Sequence, residues 1–415
     1  MKVIEAIKPG EKKARARALL LLSGGLDSVL AGKLLEEEGV EIVGLTFRSP
    51  FFGAREALRV AREQGWPLIV VDITEEQIQI VENPRYGYGR NLNPCIDCHG
   101  QMAKIAGELL SRYQADFVAT GEVLGERPKS QNRQALGLVE KLSGIRGKLL
   151  RPLSARLLPE TEPEKQGLID REKLLDISGR SRKRQMELAE KYGLREYPTP
   201  AGGCLLTDPG FSARARQLRE WRGRLIPEDI EIIKCGRLFF VEEALIVIGR
   251  DEKENGKIIQ RSLESDILVT TYGFKGPLAA VRFRRPDGMK EAAGTEERKP
   301  GESAPEEPGI EKQVSSLKAP FEGDEAIKKR MVSRKESGEF AELWRELQEG
   351  KLTPEKQLSA KDEEAMFGIP AVKEACLRVI RYSRMRENQR AAAAVIFGLK
   401  GGVREFRKED WQKYF

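Results

Sequence analysis

Residues 23–28 read Ser-Gly-Gly-Leu-Asp-Ser. They follow the apolar run Ala18–Leu22 directly and lead into a helical pattern with Val29, Leu30, Leu34 and Leu35 on one face. A strand that turns into a helix through two glycines aims consecutive backbone amides and a helix N-terminus at one point, which makes a nest for phosphate. Gly24 and Gly25 permit the tight turn, Ser23 and Ser28 can add hydroxyl donors, and Asp27 can hold magnesium or orient the loop. No Gly-Lys-Ser/Thr follows, so this is not a Walker loop, and the spacing is not that of a dinucleotide fingerprint. An ordinary glycine turn is the plain alternative.

The second chemistry-bearing feature is sulfur. Asn93-Pro94-Cys95-Ile96-Asp97-Cys98-His99 is a C-x-x-C on a loop entering a helix, a spacing that serves zinc, a dithiol or nothing at all. A helix N-terminus lowers a thiol pKa, so Cys98 is expected to be thiolate at neutral pH. A further cysteine, Cys204, stands in Pro200-Ala201-Gly202-Gly203-Cys204-Leu205-Leu206, where glycines let the backbone approach a ligand closely. Nothing in the periodicity brings Cys204 to the other two. Cys235 and Cys376 lie in apolar settings and read as small buried hydrophobes.

The elements that must position these groups follow from the rest of the chain. Its 415 residues, at roughly 150 per domain, imply two to four domains. After the first strand and helix come strand Glu41–Phe47, helix Ala54–Gln64, strand Pro67–Ile73, a polar broken loop at Asn83–Pro94, helix Met102–Tyr113 and strand Ala115–Thr120. Strands spaced by such helices predict an α/β fold with a mostly parallel sheet and helices on both faces, binding its ligand at the carboxyl ends of the strands. The expected organisation is a nucleotide-binding domain over 1–169 and a basic helical extension with the third cysteine over 170–225. A small α/β module over 226–289 follows, with strands at Leu238–Val241, Ala244–Ile248, Ile267–Val269 and Ala279–Phe283. Residues 290–324, rich in Glu, Lys, Pro, Gly and Ser, read as a flexible linker. Residues 325–415 read as mainly helical, with Ala391–Ala394 in the most helix-prone part.

A composition of 40% hydrophobic and 33% charged residues describes a globular chain, and the net charge of +7 makes nucleic acid a serious partner. The basic stretch Arg180, Arg182, Lys183 and Arg184, with Arg214 and Arg219 further on, offers phosphate contacts; solvated helix faces are the alternative. No apolar run nears the roughly 18 residues of a membrane span, and Met1–Gly10 lacks a secretory core, so no membrane partner and a cytoplasmic location are expected. Five cysteines and one histidine exclude a disulfide scaffold and a histidine-rich metal site; in a reducing compartment clustered cysteines mean metal or thiol chemistry.

The hexapeptide at 23–28 resembles the loop of the ATP pyrophosphatase (PP-loop) family, whose fold is the adenine nucleotide alpha hydrolase-like sheet. Thr120-Gly121-Glu122-Val123-Leu124-Gly125, then Ser130-Gln131-Asn132-Arg133 and Leu150-Arg151-Pro152-Leu153, resemble the tRNA 4-thiouridine synthetase (ThiI-type) core. The C-x-x-C and the Ala-Gly-Gly-Cys also look like the bacterial tRNA 2-thiouridylase (MnmA-type) group, and 226–289 look like a small NFACT-R-type module associated with RNA. The resemblance implies ATP and Mg2+ as cofactors, with Ser23, Gly24, Gly25, Asp27, Ser28, Gly121 and Glu122 at the nucleotide and Thr46 and Phe47 near adenine; a buried core Phe47 is the alternative. It implies Asp27, Cys98 and Cys204 as catalytic, and Cys95, Cys98 and Cys204 as ligands of a 4Fe–4S cluster. Three thiolates are too few for closed structural zinc and suit a cluster with one open corner; a persulfide relay or zinc remain alternatives. The function so implied is ATP-dependent tRNA uridine thiolation with sulfide or a persulfide carrier as sulfur donor. The alternatives are a PP-loop enzyme inserting sulfur or nitrogen into a small molecule, and a non-catalytic RNA-binding factor. No THUMP-type RNA-binding segment or rhodanese-like tail is recognisable, which leaves the acceptor open.

Overall fold

A computed structural model of the chain describes residues 2–194, 203–263, 265–284, 338–383, 392–397 and 400–406. The 290–324 segment and Pro200–Gly202 lie outside them. Backbone contacts group the chain into two units, residues 1–216 with 224–227, and residues 217–223 with 228–415.

The first unit carries β1 (Lys2–Ile7), β2 (Ala16–Leu21), α1 (Leu26–Glu37), β3 (Val40–Arg48), α2 (Arg55–Gln64), β4 (Leu68–Asp72), α3 (Thr74–Glu82), α4 (Cys95–Leu109), β5 (Phe117–Thr120), α5 (Arg133–Ser143), β6 (Leu149–Leu150), the single turn α6 (Glu162–Lys165) and α7 (Lys183–Lys191). The sheet order is β1-β4-β3-β2-β5-β6, parallel throughout except for β1, which pairs antiparallel with β4. This is the expected α/β fold. β2 and β3 are apolar on both sides because both faces are covered. Leu20, Leu22, Val29, Leu30 and Val60 join one core with α1, α2 and α7, while Leu19, Val43, Ile69, Ile105 and Val139 join the other with α4 and α5. The chain winds outward from β2 in one direction to β3 and β4 and in the other to β5 and β6. The strand order therefore reverses between β2 and β5, and the carboxyl ends of these two strands are where such a sheet binds its ligand.

β1 has no counterpart in the sequence reading. Its residues are partly exposed and include Lys2 and Glu5, which suits an edge strand rather than a core one.

The second unit contains α9 (Pro227–Ile232), which follows α8 (Pro209–Arg222), then β7 (Arg237–Val241), β8 (Ala244–Ile248), α10 (Glu252–Arg261), β9 (Ile267–Thr271) and β10 (Leu278–Phe283). Helices Gly338–Glu349, Ala360–Gly368 and Pro370–Tyr382 follow, and then β11 (Ala392–Phe397) and β12 (Lys400–Glu405). Its sheet is antiparallel in every pairing, ordered β12-β11-β9-β10-β8-β7. The alanine run is a strand here, not a helix. Ala393–Ile396 pair on both sides, with β9 and β12, and are fully buried; Ala392 pairs with β12, and Ala391 lies outside the described residues. Alanine's helix propensity amounts to tenths of a kcal/mol per residue over ordinary residues, and burial in a sheet outweighs it.

Candidate nucleotide and three-cysteine site

The loop at 23–28 leaves the carboxyl end of β2 at this switch point. Gly24 has φ +81, and a Cβ there would stand 2.5 Å from the Glu56 carbonyl carbon, so only glycine fits. Ser28 Oγ donates to Gly25 O at 2.7 Å, and Gly25 N donates to Ser23 Oγ at 3.2 Å. The two serine hydroxyls are 3.3 Å apart. Gly121, at the end of β5, lies so close to the start of α1 that a Cβ would meet Asp27 C and Ser28 N at 2.4 Å. The end of β5 and the first turn of α1 thus touch through one glycine.

Asp27 sits in the first turn of α1. Burial pushes its carboxyl above the usual range, and Arg182 and Arg127 hold it back down. Arg182 reaches this loop rather than solvent: its guanidinium lies 3.7 Å from Asp27 Oδ2 and 3.8 Å from Glu126 Oε1. The other basic candidates differ. Arg180 and Lys183 are exposed, Arg184 is exposed but paired with Asp176 at 2.7 Å, and Arg214 and Arg219 lie on α8, half-buried and exposed respectively. On β3, Phe47 packs in the core with Val43, Leu45 and Ile69, and Thr46 is buried beside it in sequence, pointing to the opposite face of the sheet.

Cys95 and Cys98 occupy the first turn of α4. Asp97 between them accepts from the amides of Arg85 and Tyr86 and so pins the 83–94 loop to the helix start. Cys95 Sγ donates to Asn93 Oδ1 at 2.9 Å, and Cys98 Sγ donates to Gln77 Oε1 at 3.2 Å. The Cys204 segment is tied to the same region. Leu205 N donates to Phe51 O at 2.9 Å, beyond the end of β3, and Asn91 Nδ2 donates to Thr207 O at 2.8 Å. Phe211 packs edge-on against Phe51. The three thiols lie within one another's electrostatic reach. Burial first, then Cys204 and Cys95, push the Cys98 thiol well up; burial, with Cys95 adding, brings Cys204 to about 11; burial raises Cys95, opposed by Arg127. The thiolate expected of Cys98 from its helix position is overridden, because the group is 9% exposed and desolvation outweighs the helix dipole. Cys235 and Cys376 are buried in the second unit, as expected.

Among the described residues no group of three or more His, Cys, Asp and Glu side chains is already gathered as a metal site. The donor set fits a cluster in kind: the three thiols feel one another electrostatically, and coordination would deprotonate them despite burial.

His99, next to Cys98, was not singled out in the sequence as part of a network. Its Nδ1 lies 2.9 Å from Glu122 Oε1, and Arg151 Nε donates to Glu122 Oε2 at 3.0 Å. Arg151 and Glu122 are both buried, and the pairing lowers Glu122 to about 2 against its own desolvation. A histidine adjoining a C-x-x-C and an arginine inside an apolar Leu-Arg-Pro-Leu run were the signals available for it.

No helix among the described residues is long and apolar enough to cross a membrane. Residues 13–156 match the family model described as thiamine biosynthesis protein (ThiI). The tRNA-specific 2-thiouridylase MnmA of Syntrophotalea carbinolica is 36% identical over 125 residues, 26% of this chain and 35% of that protein. Its counterpart from Geobacter metallireducens is 33% identical over 135 residues, 26% of this chain and 36% of that one. The chain thus spans about a third of the length of these relatives. Among solved structures, a 4-thiouridine synthetase–RNA complex with bound ATP aligns at 25% identity with a TM-score of 0.30, covering 49% of this chain and 50% of that one. The family similarity therefore attaches to residues 13–156, the segment that bears the phosphate loop and the C-x-x-C pair.

Proposed function

We propose that the chain is an ATP-dependent sulfurtransferase that thiolates a uridine of tRNA. The observation that carries this reading is the Ser-Gly-Gly-Leu-Asp-Ser loop at the carboxyl end of β2, in a unit where Cys95, Cys98 and Cys204 lie within one another's electrostatic reach. The ThiI-type and MnmA-type similarities support the substrate class. The basic balance of the chain and the resemblance of 226–289 to an NFACT-R-type module support RNA.

The chemistry follows from what each group offers. A uridine carbonyl oxygen is a poor leaving group. Its attack on the α-phosphate of ATP forms an O–P bond, breaks the bond to pyrophosphate, and leaves the base carbon bearing AMP. Loop amides and the serine hydroxyls stabilise charge growing on pyrophosphate; Asp27 would hold a Mg2+ ion, which would supply further charge stabilisation there. A sulfur nucleophile then adds to that carbon, and AMP departs with the former carbonyl oxygen. Held by Cys95, Cys98 and Cys204, a 4Fe–4S cluster would supply one open iron position for sulfide. A persulfide on Cys98 or Cys204 is the second form of the same reading.

The test is mass spectrometry of tRNA nucleosides from a deletion strain complemented with the intact gene or with Cys204→Ala. The intact gene is expected to restore a thionucleoside that the variant does not. An unchanged thionucleoside profile on deletion overturns tRNA thiolation and favours a small-molecule acceptor. Protein purified without oxygen is expected to contain iron and sulfide, lost in each of the Cys95→Ala, Cys98→Ala and Cys204→Ala variants. Iron-free yet active protein selects the persulfide.

A further inference from the structure

Arg182 belongs by sequence to a basic run that reads as an RNA contact, but its surroundings say otherwise. Its side chain is 17% exposed, and Nε is buried with no hydrogen-bond acceptor. On the carboxylate that Arg182 pairs with, Asp27 Oδ1 is buried with no donor. The charges meet at 3.7 Å to Asp27 and 3.8 Å to Glu126, longer than hydrogen bonds. A part-buried guanidinium whose buried Nε gains charge neutralisation from two carboxylates but a hydrogen bond from neither is incompletely satisfied, and such groups are uncommon without a function. Gln185, one turn further along α7, is fully buried next to Asp27, so the helix start is held against the loop.

Phosphate oxygens would complete this arrangement. The planar guanidinium fork matches a phosphate in geometry and charge, and the loop beside it is built of amides and hydroxyls suited to the same anion. We infer that Arg182 is a ligand of the pyrophosphate portion of ATP, exchanging its two long carboxylate pairings for hydrogen bonds to the β- and γ-phosphates when nucleotide arrives. The exchange would leave Asp27 and Glu126, which burial and mutual repulsion disfavour as a bare pair, facing the cation that accompanies the nucleotide. This rests on the reading of residues 23–28 as an ATP loop and adds to it a residue far along the chain.

Equilibrium binding of ATP, inorganic pyrophosphate and AMP to the full chain tests it, without reference to turnover. In Arg182→Gln the affinity for ATP and pyrophosphate should fall about 10- to 100-fold, the range set by one or two charge-assisted hydrogen bonds. AMP, which lacks the departing phosphates, should bind as to wild type, and this also reports that the variant is folded. Arg182→Lys keeps the charge without the fork and should recover part of the loss. Wild-type protein that binds no ATP overturns the loop reading itself. Wild-type protein that binds ATP, with Arg182→Gln binding it equally well, overturns only the role of Arg182. Equal loss of AMP and ATP makes Arg182 a prop of the loop, and loss of tRNA binding alone returns it to the RNA surface; either result overturns the inference.

Discussion

At the scale of single residues, Glu122 is buried with both carboxylate oxygens engaged. Similarity of the Thr-Gly-Glu turn to the ThiI-type core points to the nucleotide, yet in the structure one carboxylate oxygen meets His99 and the other Arg151. With its pKa lowered to about 2, the carboxylate contributes stability that is complete above its ordinary value of 4.5. Its folded pKa lies below the unfolded one, so that contribution is lost as pH falls from about 4.5 toward about 2, not as pH rises. The full span is on the order of 3 kcal/mol. Urea unfolding midpoints of wild type and Glu122→Gln, measured between pH 3 and pH 6, should show a steep acid decline in wild type and a flatter one in the variant. The variant should also be less stable at neutral pH, because Arg151 stays buried without its counter-charge. Parallel declines for the two proteins would mean that Glu122 does not titrate in this window.

At the scale of elements, one substitution acts in opposite directions at two glycines. Gly121 closes the contact between the end of β5 and the start of α1, and a methyl there would collide with backbone atoms at 2.4 Å that no rotamer can move. Gly137, within α5, has nothing within 4 Å of a built Cβ. Gly121→Ala should separate the strand end from the phosphate loop, lowering the melting temperature and weakening ATP binding together. Gly137→Ala should raise stability by about 0.5–1 kcal/mol and leave ATP binding alone. Thermal melts with and without ATP read both, and an unperturbed Gly121→Ala would remove the proposed coupling between the strand end and the loop. Much of this was legible beforehand. The apolar run before residues 23–28, the strands now seen as β3 and β4, and the four strands β7–β10 are written in local patterns. What was not legible depends on distance in sequence: the partial exposure of β1 reflects its edge position, and Ala392–Ile396 becomes a strand only because β9 and β12 flank it. The same holds in the site. The C-x-x-C and the loop are local motifs, whereas Arg182 beside Asp27 and Arg151 beside His99's carboxylate partner are products of the fold.

At the scale of the whole molecule, the proposed chemistry lies in the first unit, while the second holds a cluster of buried charge besides its apolar core. Arg282, 4% exposed, donates to both oxygens of Asp266 at 2.9 and 2.7 Å and to Asp229 at 3.1 Å, and Arg222 donates to the other oxygen of Asp229 at 2.7 Å. Two arginines and two aspartates thus neutralise one another inside the antiparallel unit, and every member belongs to it. Buried ion clusters add little over an apolar core, but removing one member strands its partners, at a cost of about 3–5 kcal/mol. Asp266→Asn keeps the size of the side chain and removes a charge whose oxygens serve Arg282 and the Leu263 amide. In calorimetric scans of the full chain, Asp266→Asn should lower a transition belonging to the antiparallel unit, whereas saturating ATP should raise one belonging to the parallel sheet, since a ligand stabilises only what it binds. ATP-dependent pyrophosphate release by the variant should persist at temperatures below the lowered transition, because Asp27, the loop, Cys95, Cys98 and Cys204 are in the other unit. If ATP raises the very transition that Asp266→Asn lowers, the two units unfold as one cooperative body, and damage to the ion cluster would then be felt at the nucleotide loop as well.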